Sequence, residues 1–137
     1  MSKQVQVALL LTGNELMSGD TVDSNSSRIA LALGAHKIGV GKKITVGDDP
    51  TLLSDSLMDL CASADVVIIN GGLGPTEDDL TAELVAEVAG QALANHPSAI
   101  EHLKAWCERR GLELNASNLK QALLPEGADL VANPIGS

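Results

Sequence analysis

The chain has 137 residues, 45% of them hydrophobic, enough for one domain whose core must be built from Leu, Ile, Val and Ala, because Trp106 is its only aromatic. Nine basic residues against eighteen acidic ones give a net charge of −9, the wrong sign for counterion-release binding to DNA or RNA, and there is no aromatic platform on which bases could stack. No apolar run approaches the ~18 residues of a membrane span and no signal-peptide pattern opens the chain, so neither nucleic acid nor membrane is an expected partner and the expected location is the cytoplasm.

Val5 to Leu11 begins with alternation and ends fully apolar, as a strand entering the middle of a parallel sheet does. From Thr12 through Glu15 and Asp20 to Asn25 the sequence is rich in Gly, Asn, Asp and Ser, and too long for a plain connection, which marks a working loop. Ser24 is the expected cap of a helix over Ser26 to His36, with Ile29, Leu33 and a half-buried His36 on one stripe. Ile38 to Val46 reads as a second strand, nearer an edge, given its glycines and paired lysines. Asp49 and Pro50 have the form of an N-cap and first helical residue for Thr51 to Ser63, with Leu53, Leu57 and Leu60 inward. Asp48 is then left without a local role. Val66 to Ile69, apolar and β-branched, reads as a third strand buried on both faces.

The stretch Asn70-Gly71-Gly72-Leu73-Gly74-Pro75-Thr76-Glu77-Asp78-Asp79-Leu80-Thr81 follows. Its three glycines allow positive φ and let a ligand approach the main chain, while the start of the next helix supplies free N–H groups that suit a phosphate. Yet three carboxylates stand at the same place, and no Lys or Arg occurs between Lys43 and Lys104. An anionic ligand is repelled there unless a divalent cation intervenes, which points to phosphate chemistry through Mg²⁺ rather than through a lysine. The pattern is neither a Walker loop nor the dinucleotide fingerprint. Capping accounts for Thr76 and the acids after it, but does not require Gly-Gly-Leu-Gly-Pro.

Beyond it, a helix over Leu80 to Gly90 and another from His96-Pro97-Ser98 to Arg109-Arg110-Gly111 both end on glycine stops. Cys61 and Cys107 have no metal-ligand spacing and read as buried thiols, and His36, His96 and His102 are scattered. Lys120 is an isolated cation that reaches a phosphate or lies solvated on its helix.

Three segments carry a family likeness besides the dodecapeptide: Gly13-Asn14-Glu15-Leu16 with Gly19 and Asp23-Ser24-Asn25, then Asn118-Leu119-Lys120-Gln121-Ala122 with Pro125, then Asn133-Pro134-Ile135-Gly136-Ser137. Together they resemble the CinA-like proteins, a branch of the molybdopterin-binding superfamily that includes molybdopterin adenylyltransferases. That family often has Gly where Lys37 stands. The resemblance implies a three-layer α/β/α fold with a mostly parallel sheet. It implies a single domain over 1–137, short of the glycine-proline turn, strand and Pro-Gly-x-Pro loop with which relatives continue. It also implies a homo-oligomer, since relatives form dimers and trimers.

In a parallel sheet the carboxyl ends of the strands share one edge, so the corners Thr12 to Glu15, Gly47 to Asp49 and Asn70 to Asp79 are expected to form one pocket. The resemblance implies a metal-dependent pyrophosphatase acting on a small nucleotide diphosphate such as ADP-ribose, with Mg²⁺, or alternatively Mn²⁺ or Co²⁺. Asp48 matches an acid that adenylyltransferases tie to metal and nucleotide, and Asp48 with Asp79 is the expected metal pair. The expected ligand-binding residues are Gly13, Asn14, Gly71, Gly72, Leu73, Gly74, Pro75, Thr76 and Lys120, with Glu15 or Asp78 as the base that orients water. The alternative is a non-catalytic pterin- or nucleotide-binding module. An adenylyltransferase is disfavoured, because those usually read Gly-Gly-Thr-Gly where this chain has Gly-Gly-Leu-Gly-Pro.

Overall fold

All six residues of β1 (Val7–Thr12) are buried, and the strand lies at the centre of a parallel sheet in a computed structural model that describes residues 2–137. After it come α1 (Asn14–Ser18), α2 (Asn25–Ala35), β2 (Val40–Val46), α3 (Pro50–Ser63) and β3 (Val66–Asn70). The sheet order is β2-β1-β3, with Leu10 opposite Ile44 on one side and Ile69 on the other. Since the crossovers from β1 to β2 and from β2 to β3 run in opposite directions across the sheet, right-handedness puts α2 and α3 on opposite faces. Val7, Leu9 and Leu11 pack with Ile29 and Leu33 of α2, and α3 buries Leu53, Leu57 and Leu60. The fold is α/β with a parallel sheet, as expected.

These elements make up one compact unit, which runs to Gly72; Leu73–Ser137 form a second. The second contains α4 (Thr81–Ala89), β4 (Leu93–Asn95), α5 (Pro97–Arg110), α6 (Ala116–Lys120) and β5 (Leu123–Pro125), with β4 and β5 paired antiparallel. Its core gathers Ala99 and Leu103 of α5 with Ala122, flanked by Ile100, Leu114 and Leu124. Gly90 and Gly111 end α4 and α5 at positive φ, as expected. Among the described residues no helix is long and apolar enough to cross a membrane.

Several local expectations are corrected. β3 is an edge strand, so it is only half-buried and Val66 remains 44% exposed. The loop after β1 contains α1, one short helix. α2 is capped by Asp23, which accepts from the Ser26 amide at 3.0 Å, whereas Ser24 makes no side-chain cap bond. His36 and Cys61 are exposed, while Cys107 is buried. Gly71 and Gly72 take positive φ but Gly74 does not, and the helix beyond the glycine stretch starts only at Thr81, so Thr76 is not its cap.

Candidate functional site

The end of β1 holds the first cluster. Thr12 is the last, buried residue of an otherwise apolar strand, and its hydroxyl donates to Asp48 Oδ1 at 3.2 Å. The Asn14 amide donates to Asp48 Oδ2 at 3.2 Å, and the Asn14 side chain accepts from the Asp48 amide at 2.9 Å. The Gly13 amide meets Val46 O at 3.1 Å. Two corners remote in sequence are thus tied, and the Asp48 carboxylate is aimed by two donors. Among the described residues it has no ion-pair partner.

The corners touch closely, and at Gly71 the main chain leaves no room for a side chain. A Cβ on Gly47 would lie 2.7 Å from Asn14 Oδ1, and one on Gly71 would lie 2.4 Å from the Thr12 carbonyl, at a φ of +108°. The exit of β3 therefore presses against the exit of β1, at the point where the strand order reverses, which is where ligands of open α/β sheets sit. Asn70 beside it accepts from Asn25 at 3.4 Å. Glu15 stands exposed in the first turn of α1, its carboxylate folded over Gly13.

The rest of the glycine-acid stretch belongs to the second unit, where Asp79 organises it. Its Oδ2 accepts from the Thr76 amide at 3.0 Å and the Thr76 hydroxyl at 2.7 Å. Burial pushes the Asp79 carboxyl up, but the bonds from Thr76 and the Gly74 amide, with the Lys120 charge, outweigh it and hold the group below its ordinary value. A carboxylate has about four lone-pair sites, so these bonds leave capacity for a cation. Leu73, Pro75, Thr76, Glu77 and Asp78 are exposed. Lys120, at the end of α6, donates to Asp79 O at 2.6 Å and also to Thr76 O. The lysine is thus bonded to main-chain carbonyls rather than left to solvent.

Thr12 and Asn70 were expected only as the first residues of their corners, with no role of their own; the available signal was a polar residue closing an apolar strand just before a glycine. His96 and His102, scattered in sequence, share a cavity of ≈ 650 Å³ in the second unit with Ser98 and Asp129 to Asn133. No expected site residue lines it, and His102 Nε2 is engaged by Gly136 O at 2.8 Å.

Among the described residues no group of three or more His, Cys, Asp or Glu side chains is arranged to hold a metal. That fits Mg²⁺ only in its usual mode, with one or two carboxylates, retained waters and substrate phosphates rather than an all-protein cage.

The family described as "Probable molybdopterin binding domain" matches residues 8–132. A CinA-like protein of Colwellia psychrerythraea is 52% identical over 96% of this chain, which spans 31% of that relative. The chain thus covers about a third of the length of the curated relatives it matches. The crystal structure of CinA from Thermoplasma acidophilum, described as of unknown function, superposes with a TM-score of 0.85 at 30% identity, covering 96% of this chain and 77% of that one. The molybdopterin biosynthesis enzyme MoaB from Thermus thermophilus has a TM-score of 0.59 at 20% identity over 88% of this chain and 71% of that one, which speaks for the fold alone.

Proposed function

Given that the chain belongs to the molybdopterin-binding-domain family, and within it to the CinA-like proteins, we propose that it handles a nucleotide diphosphate and hydrolyses its pyrophosphate bond with the help of a divalent cation. One observation carries the reading. At the exit of β2, against the end of β1, Asp48 is oriented by Thr12 and Asn14 but has no cationic side chain to neutralise it among the described residues.

A carboxylate held in one direction without an ion pair suits a cation that arrives with its own ligand. When bound, such a cation offsets charge on the diphosphate and favours ionisation of a nearby water. The chain's part is positional. Thr12 and Asn14 fix the direction of Asp48, and the glycine backbone at Gly71 and Gly72 leaves the corner free of side chains. The reading gives Glu15, which lies in the same unit as Asp48, the orientation of the attacking water. That water adds to one phosphorus while the other phosphate departs, so ADP-ribose yields AMP and ribose 5-phosphate.

The test is ADP-ribose with Mg²⁺, Mn²⁺ or Co²⁺ and detection of AMP. Asp48→Asn is expected to lower AMP release by ~100-fold or more, as losing a principal electrostatic group does, while its melting temperature stays close to that of the parent because the amide can keep one acceptor and turn its donor to Thr12. Undiminished turnover in Asp48→Asn overturns the assignment. Tight binding of ADP-ribose without AMP under every metal replaces hydrolysis by a binding module.

A further inference from the structure

The ammonium of Lys120 is spent on main-chain carbonyls: it donates to Asp79 O at 2.6 Å and to Thr76 O, closing a bridge from α6 to the acid loop. Inside the same loop the Asp79 carboxylate binds the Thr76 amide and hydroxyl, and the Asp79 amide returns a bond to Thr76 O at 3.2 Å. Glu77 and Asp78 project outward and exposed between the two residues so gripped. We infer that Lys120 is a positioning residue, a clasp that fixes the conformation of the Thr76 to Asp79 loop before any ligand arrives and so sets the direction of its carboxylates. This deepens the hydrolase reading and rests on it for the consequence to catalysis, but the clasp itself is a property of the ligand-free chain.

Three physical points support the assignment. Residues 73–80 contain no helix or strand, so the loop must be held by side chains, and among the described residues Lys120 is the one cation bonded to it. Bonds from a charged donor to carbonyls are the stronger kind. The loop also concentrates three successive acids, Glu77, Asp78 and Asp79, whose mutual repulsion favours opening unless a fixed positive charge sits beneath them. Lys120 is itself held, because α6 starts on an Asn115 cap that accepts from the Asn118 amide at 2.9 Å.

Amide hydrogen exchange of the ligand-free protein tests this. Lys120→Met is expected to speed exchange at Thr76 and Asp79 by ~10-fold or more, with the Leu53 amide at the start of α3 unchanged as a control, and Lys120→Arg is expected to restore most of the protection. A lysine that only touched phosphate would leave these amides alone, so unchanged exchange in Lys120→Met overturns the clasp. If that variant does not fold, the wild-type ammonium decides by ¹⁵N NMR. A slowly exchanging, restrained Lys120 signal supports the clasp, and a freely rotating one overturns it. Parallel ADP-ribose assays with Mg²⁺ separate the two readings, since absence of AMP from the wild type rejects hydrolysis while the exchange data still judge the clasp.

Discussion

Asp79 shows how a residue can be legible by type and illegible by role. The three acids after Gly-Gly-Leu-Gly-Pro were visible in the sequence, but nothing there told which one would turn back on its own loop. That choice depends on Thr76 and on a lysine reaching in from α6. It has a measurable consequence. Asp79 lies below its ordinary 3.8 because the bonds to Thr76 and Gly74, with Lys120, outweigh the upward push of burial. A carboxyl lowered by folding contributes stability that is present above 3.8 and is lost as pH falls through its folded-state value. Asp23 is lowered too, chiefly by the Ser26 hydroxyl, and Asp65 by the Gln6 amide and then Lys3. The melting temperature should therefore drop on acidification below about pH 4. Asp79→Asn should blunt that acid limb without removing it, and the same slope in both proteins would refute the loop's share. Thr12 and Asp48 teach the converse lesson. Asp48 stood out in the sequence and Thr12 did not, and only the parallel register of β1 and β2 makes them partners.

At the scale of elements, what could be read was what local chemistry decides. The Asp49 cap and Pro50 start α3 where they should, with the Leu52 amide donating to Asp49 at 2.9 Å, and the apolar run of β1 becomes the central strand. The β4 and β5 pair was missed because each strand has only three residues, one containing Pro125, and the partners are separated by α5 and α6. Such strands exist only through tertiary pairing. The end of α2 combines both kinds of information. Ile38 N bonds to Leu33 O and Lys37 N to Gly34 O, the paired bonds of a Schellman stop, and this places Lys37 at a φ of +60°, the one positive-φ residue other than glycine among those described. A side chain in that conformation costs about 1 kcal/mol, partly offset in a glycine by its greater freedom when unfolded. Lys37→Gly is expected to stabilise the protein by ~0.5 kcal/mol, seen as a higher denaturant midpoint at unchanged m-value. A lower midpoint would mean that the lysine makes a compensating contact.

For the whole molecule, the net charge of −9 and the sparse arrangement of metal-type ligands bear on the same question, how an anion comes to be bound at all. Composition already disfavoured nucleic acid, and the family was legible because its motifs are short, contiguous and placed at loops. Mg²⁺ was expected from acids without a nearby lysine, and in the proposed reading substrate phosphates complete its site, so the chain itself carries only isolated acids. The physical expectation is mutual dependence. Mg²⁺ alone should bind weakly, because it gives up its waters reluctantly and no group of three His, Cys, Asp or Glu is arranged for it among the described residues. ADP-ribose alone should bind weakly, because its phosphates approach a protein of like charge. Together each supplies what the other lacks, so their binding free energies are coupled and the coupling is reciprocal. A ligand that binds only the folded state raises stability in proportion to RT ln(1 + [L]/Kd), which turns the argument into a thermal-shift experiment. EDTA is expected to leave the melting temperature unchanged, Mg²⁺ or ADP-ribose singly to raise it little, and the two together to raise it by more than the sum of the separate shifts. A melting temperature that falls in EDTA would reveal a resident metal instead. An equal rise with ADP-ribose whether Mg²⁺ or EDTA is present would show that the diphosphate is held by the backbone alone, and Asp48 would lose its proposed task.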